Sequence, residues 1–414
     1  RHEGSSKFGQ NNRWGTFWAI SGGWILTEED FLRAIDFLSM LKLSLGYGVT
    51  GNNDFDDSNA VRQYKSDGVF IDPNGEWNTV YGSARNVNPY LKWEEKSEIN
   101  FGFDYGFFND RLYGKFDIYK RKVNDLLYNI KAPQPPMIQA TVLSNAGSLE
   151  NFGFEFEIGG DIVRNSTFTY NSNIRLSKFS SKIDDIGDTV LNMQNFPSPG
   201  NPGYGVKLES GSKIGQFFLY KHAGVTEDGK WLIYDKDDNI VLGADNLKDD
   251  NKRVMGSSVP SAIISWDHNF TYKNWDMSIL LRSWIDFDVF SQPNLYYGLK
   301  NSQQTNVLKD QYLKNQHIND MKILSDYWLD DGTFLKLDAI TIGYTLNLKK
   351  YTNNMTSSAR FYLTGRDLFM FTGYKGINPE VDINGLDGGF ELIKDTDSMY
   401  PQTRRFAFGV QVTF

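Results

Sequence analysis

Apolar and polar residues alternate at period two through long stretches of this chain, most cleanly at its end. Phe406, Phe408, Val410, Val412 and Phe414 interleave with Ala407, Gly409, Gln411 and Thr413. That period sets the five apolar side chains on one face of a strand and the small or polar ones on the other. The pattern recurs in Leu41, Leu43, Leu45, Tyr47 and Val49, and in Ile99, Phe101, Phe103, Tyr105 and Phe107. It returns where Phe152, Phe154, Phe156 and Ile158 oppose Gly153, Glu155, Glu157 and Gly159, and where Phe168, Tyr170, Ile174 and Leu176 oppose Thr169, Asn171, Asn173 and Arg175. Turns at Asn109-Asp110, Arg164-Asn165, Lys273-Asn274 and 349–354 join such runs into hairpins. Strands of about ten residues are long for a globular sheet and suit a tilted membrane strand.

Eleven strands are predicted, near 14–21, 41–50, 97–109, 111–123, 150–162, 164–179, 261–273, 275–288, 333–346, 357–370 and 402–414. Short turns alternate with long connections, as in transmembrane barrels, provided that 180–260 is one large extracellular loop subdomain. Thr27 to Leu38 reads as a capped amphipathic helix and is the one long connection on the short-turn side. The fold class is therefore all-β, a transmembrane antiparallel β-barrel with long extracellular loops. An odd number of strands cannot close as a wholly antiparallel barrel, so these residues are expected to form part of one. A soluble, secreted all-β binding protein is the rival reading of the same alternation.

Composition sharpens the choice. Aromatic residues make up 15% of the 414 (30 Phe, 22 Tyr, 10 Trp), whereas only 40% are hydrophobic. Rich aromatics on a polar average fit strands that show lipid one face and a wet lumen the other. No stretch approaches 18 continuous apolar residues, which excludes a transmembrane helix. With no cysteine there is neither a disulfide framework nor a thiolate metal site. A net charge of −8 argues against nucleic acid as partner. Arg1 to Gln10 is polar and is not a signal peptide.

No catalytic constellation stands out, and neither an enzyme, a metal nor a cofactor is expected. His2, His222, His268 and His317 are scattered. Asp235, Asp237, Asp238 and Asn239 resemble part of a calcium loop, but Ile240 stands where glycine is needed and Asn246 where a bidentate Glu belongs. Turn residues are the better reading there and at Asp54, Asp56 and Asp57. Glu155 and Glu157 could suggest glycosidase carboxylates; two apart on a strand, they share the lumen face instead. Trp77, Tyr204, Trp231, Tyr296 and Tyr297 fall in outer connections, where flat rings could stack on sugars or peptide side chains. The alternative for each is packing within the loops or against a lid. Tyr272, Trp275 and Tyr344 near strand ends read as an interfacial girdle.

At this point the residues resemble a known family. RHEGSSKFGQNNRWG (1–15), LKLSLGYGVTGNN (41–53), SARNVNPYLKWE (83–94), FFNDRLYGKFDIYKRKVNDLLY (107–128), NAGSLENFGFEFEIG (145–159), YWLDDGTFLKLDAITIGYTL (327–346), LTGRDLFMFTGYKGINPEV (363–381) and MYPQTRRFAFGVQVTF (399–414) are similar, in order, to the C-terminal half of SusC/RagA-type TonB-dependent outer-membrane transporters. The resemblance implies a 22-stranded barrel, of which 1–414 supplies about eleven C-terminal strands. It also implies a multi-pass outer-membrane location, a SusD-like surface lipoprotein as lid, and TonB contact through an N-terminal region. The plug and first half-barrel are not among these residues. The implied activity is TonB-dependent active import of oligosaccharides or peptides; a structural subunit of a larger envelope assembly is the alternative.

Hydrogen bonding adds an expectation about the margins. An unpaired strand edge in hydrocarbon exposes N–H and C=O groups at several kcal/mol each. The closing strand, Phe406, Phe408, Val410, Val412 and Phe414, is therefore expected to pair with a strand outside this sequence, the remainder of the same barrel, rather than with 14–21. Phe101, Phe103, Phe154, Phe156, Phe168 and Ile342 should face outer-membrane lipid, and Asp104, Glu155, Glu157 and Arg175 the lumen.

Overall fold

A computed structural model describes residues 1–55, 62–196, 203–300, 306–348, 357–386, 388–391 and 402–414. The predicted turn at 349–354 and the residues Asp56 and Asp57 lie outside the described residues. One antiparallel sheet of eleven strands forms the wall. In chain order these are β1 (Ala19–Ile25), β2 (Leu38–Asn52), β3 (Glu94–Phe107), β4 (Leu112–Asn124), β5 (Ser148–Arg164), β6 (Phe168–Asp185), β7 (Ala262–Tyr272), β8 (Trp275–Ile285), β9 (Phe334–Asn347), β10 (Ser358–Thr372) and β11 (Arg405–Thr413). Each pairs with its neighbours in sequence order, as a meander. The margins are β1 and β11, which do not pair with each other.

Residues directly opposite in a ladder share a face, so the register shows what each face carries. One row runs Leu43, Phe103, Phe116, Phe156, Leu176, Ile264, Ser283, Leu335 and Phe371 from β2 to β10. The row one residue along runs Lys42, Asp104, Lys115, Glu157, Arg175, Ser265, Arg282, Lys336 and Met370. Successive residues of one strand thus belong to two different solvents, which is the pattern of a transmembrane barrel wall. Phe406, Phe408, Val410 and Val412 lie opposite Gly365, Leu363, Phe361 and Ala359 on the apolar face and are exposed there. Phe101 and Ile342 are likewise exposed, and Phe103, Phe154, Phe156 and Phe168 half-buried. None of the six enters a buried core cluster.

The short-turn end is built as expected: Asn109 and Asp110 take left-handed φ of 58° and 57° between β3 and β4. Two local expectations need correction. The first wall strand starts at Ala19, because Trp14–Thr16 pairs with His2–Gly4 in a separate hairpin and Phe17 is buried against Trp93, with ring centroids 5.2 Å apart. Its register with β2, Ala19 opposite Gly48 through Ile25 opposite Lys42, decides where the wall begins. The predicted helix shrinks to a 3-10 turn, Leu26–Glu28, and one α-helical turn, Asp30–Arg33. The ladder with β3 already claims Leu38, so pairing overrides helix propensity there.

At the long-connection end the loops make their own core. Ile183, Leu191, Phe196, Val206, Leu208, Phe217, Leu219, Trp231 and Ile233 pack with Phe290, Leu295, Ile323, Leu324 and Trp328. The cap therefore draws on the connection after β8 as well as on 180–260. A second cluster joins Phe287, Val289, Tyr374 and Val381 to Phe334, with Trp284 and Met370 against it. Those three wall residues lie in lumen-facing register, so the loops fold inward over the lumen.

Candidate functional site

The candidate functional surface is the lumen face of the wall and the loops that close over it. On β4 to β7 the charges are interlocked. Lys115 Nζ lies 2.8 Å from Asp117, Arg175 is 2.6 Å from Asp267 and 3.6 Å from Glu157, and Asn173 donates to Glu157 at 2.5 Å. Glu155 and Glu157 sit with Lys115, Asp117 and Arg175 in one shallow cleft. Such a surface has both signs and many donors, and suits polar cargo or a polar protein surface rather than an apolar ligand.

Toward the cap the network tightens. Lys336, only 3% exposed, meets Asp367 at 2.7 Å, Glu380 at 3.1 Å and Asp338 at 3.4 Å, and donates to Gln402 at 2.8 Å. Arg282 binds Glu380 at 2.7 Å and Asp338 at 3.0 Å, and Arg405 reaches Asp367 at 2.8 Å. Glu380 belongs to the connection between β10 and β11, so this network ties that loop to four strands of the wall, β8 to β11. Burial pushes the Glu380 carboxyl up, but hydrogen bonds and charge from Arg282 and Lys336 outweigh it and hold the group below the usual glutamate range. No sequence motif announced these residues. The only signal was a lysine and an arginine at lumen-facing positions of two predicted strands.

The five loop aromatics sit on different elements and at different depths. Trp77 opens the second strand of the exposed hairpin Tyr64–Ile71 and Trp77–Ser83 and is 71% exposed. Asp72 shapes that hairpin's turn by accepting from the backbone N–H of Asn74 and Glu76, each at 2.9 Å. Tyr204, on the strand Gly203–Leu208, is 40% exposed. Tyr296 and Tyr297 end a short helix, Gln292–Tyr297, that Ser291 caps and that carries Pro293 in its first turn. Both rings are half-buried. Burial, with the neighbouring Tyr297, pushes the Tyr296 hydroxyl up to about 12, and Lys322 sits 5.2 Å from its ring centre.

Trp231 is the correction. It is 0% exposed, its indole N–H donates to the Met321 carbonyl at 2.8 Å, and Tyr327 and Trp328 pack edge-on against it. A ring so enclosed cannot stack on cargo; it stabilises the cap. Trp231→Ala is expected to lower stability by about 3–5 kcal/mol, the usual cost of emptying a buried aromatic site. Chemical denaturation of the full-length protein checks this, and a loss confined to ligand affinity would contradict it. The Asp235 segment is a turn, in which Asp235 accepts from the N–H of Asp237 and Asn239 at 2.9 Å and Arg253 binds Asp238 at 2.7 Å.

Known proteins agree with this geometry. The family model described as TonB dependent receptor-like, beta-barrel, matches residues 1–211. The chain belongs to that family. TonB-dependent receptor SusC of Bacteroides thetaiotaomicron is 29% identical over 439 residues, covering 100% of this chain and 41% of its own length. TonB-dependent receptor P39 of Formosa agariphila is 28% identical over 480 residues and 44% of its length. Among solved structures, the RagAB peptide transporter superposes with a TM-score of 0.80 at 23% identity, over 99% of this chain and 45% of that one. The chain thus spans less than half the length of the relatives it matches, and the SusC and RagAB matches agree with the resemblance drawn from the residues.

Proposed function

We propose that this chain is the C-terminal part of the barrel of a TonB-dependent importer that carries oligosaccharides or peptides across the bacterial outer membrane. The division of the wall into an apolar face and a charged lumen face, continuous over nine strands, supports this reading most directly. The remaining strands, a plug and the TonB-contacting segment would come from the rest of the same protein and pair with the free margins of β1 and β11. A SusD-like lipoprotein would sit over the cap as a lid, and the exposed rings of Trp77 and Tyr204, with the half-buried Tyr296 and Tyr297, would contact cargo.

The test is calorimetric titration of the full-length receptor, with its lipoprotein partner, against oligosaccharide and peptide panels. Trp77→Ala is expected to weaken binding of the cargo so identified by about 1 kcal/mol or more, roughly five-fold, the scale of a lost aromatic contact. Unchanged affinity would leave Trp77 as a lid contact. If neither panel binds and uptake survives loss of TonB, the importer reading fails.

A further inference from the structure

We propose that the outer face of β4–β6, at its cap end, binds the phosphate groups of anionic lipid headgroups; this rests on the outer-membrane reading above. Ascending from the apolar row of Phe116, Phe156 and Leu176, lysines replace apolar residues on the same face. Lys178 lies opposite Phe154, Lys120 opposite Phe152, and Lys122 and Lys182 on either side of Glu150. A bridge from the cap sets Lys213 directly opposite Lys182. Rows on one face are about 7 Å apart along a strand, so the five ammonium groups span about three rows.

Two carboxylates answer these five cations. Glu150 takes Lys120 at 3.1 Å and Lys182 at 3.7 Å, and Asp184 takes Lys122 at 2.8 Å. Lys178 and Lys213 are exposed and meet no carboxylate among the described residues. The patch carries three charges in excess, and like charges placed directly opposite, as in Lys182 and Lys213, repel unless a counter-anion lies between them. The location decides what that anion belongs to. Phe152 and Phe154 interleave with the lysines and face hydrocarbon, so a lid above the lumen cannot reach this face. A membrane component can. A lysine within the hydrocarbon costs several kcal/mol, whereas at the interface its stem lies along the apolar surface and its ammonium reaches the headgroups. At the corresponding cap end of β9 and β10 the outer face carries Leu335, Leu337, Phe369 and Phe371 instead, so the basic patch is local and should hold particular lipids rather than ring the barrel.

The experiment uses the full-length receptor in equimolar phosphatidylcholine and phosphatidylglycerol, with retained lipids counted by native mass spectrometry. The wild type should retain phosphatidylglycerol preferentially. The triple variant K178Q/K182Q/K213Q should lose that preference, by about five-fold for each lysine removed, while keeping the wild-type shift in mobility on heating. K314Q, on the cap, should behave as wild type. Equal retention of the two lipids by the wild type, or an undiminished preference in the triple variant, overturns the lipid site alone. A wild type that does not fractionate with the outer membrane overturns both this proposal and the importer reading.

Discussion

Replacing Lys336 with methionine is expected to destabilise the receptor by about 3–5 kcal/mol, the cost of removing one partner from a buried ion network. The methionine would fill the space, so the loss is electrostatic. Asp338, Asp367 and Glu380 would face Arg282 and Arg405 with one positive charge too few, in a site where Lys336 is 3% exposed. The loop between β10 and β11 should loosen first, because Glu380 is its ionic link to the wall. Limited proteolysis at 373–391 of the full-length receptor, alongside denaturant titration, measures both effects. A variant as stable and as protease-resistant as wild type would show that the network holds nothing. The double variant K336M/D367L tests the cause, since removing both charges should recover part of the loss.

The same network gives a pH dependence with a definite sign. The folded-state pKa of Glu380 lies below its ordinary value of 4.5. Its contribution is therefore fully present above that ordinary value and is lost as pH falls through the lower, folded-state value. Loop protection should be flat from neutral pH down to about 5 and fall in more acidic buffer. In Glu380→Gln the acid-dependent step should shrink, with more cleavage already at neutral pH.

The second large effect tests the two faces of the wall. Phe156→Lys would put a charge between Phe116 and Leu176 in the apolar row, near the middle of β5, where lysine costs about 2–4 kcal/mol in a barrel. Glu157→Gln, one residue along on the lumen face, loses a half-exposed ion pair with Arg175 and keeps an amide oxygen to accept from Asn173, at a cost of about 1 kcal/mol or less. The yield of outer-membrane protein with a heat-modifiable mobility should drop for the first variant and stay near wild type for the second. Equal yields would mean that neither face meets lipid.

These two predictions differ in how early they could be made. Phe156 and Glu157 were assigned opposite faces from alternation alone, because a strand's period is a local property of its backbone and lipid and water sort adjacent side chains without help from the rest of the chain. For the same reason ten of the eleven strands lie where the pattern placed them, and the last strand offers Phe406, Phe408, Val410 and Val412 to the outer face. Trp14 to Thr16 showed the limit of that reasoning. Its weak alternation could be satisfied in a small hairpin with His2–Gly4, and only pairing with β2 settled that the wall begins at Ala19.

Lys336 is the opposite case. Its partner Glu380 is 44 residues away in a loop, and Arg282 reaches the same carboxylate across 98; no local pattern encodes such a meeting. Trp231 could not be separated from Trp77 by sequence either, since an aromatic in a polar connection reads alike whether it faces solvent or a core. The difference arose when two connections separated by β7 and β8 folded on one another, burying Trp231 against Tyr327 and Trp328 and leaving Trp77 on a hairpin of its own. By itself the sequence determined the strands, their faces and the family, because these follow from near-neighbour periodicity and short matched stretches. Only the tertiary structure decided which loop residues are core, which are surface, and how the last loop is tied to the wall, because those outcomes depend on contacts between segments far apart in the chain.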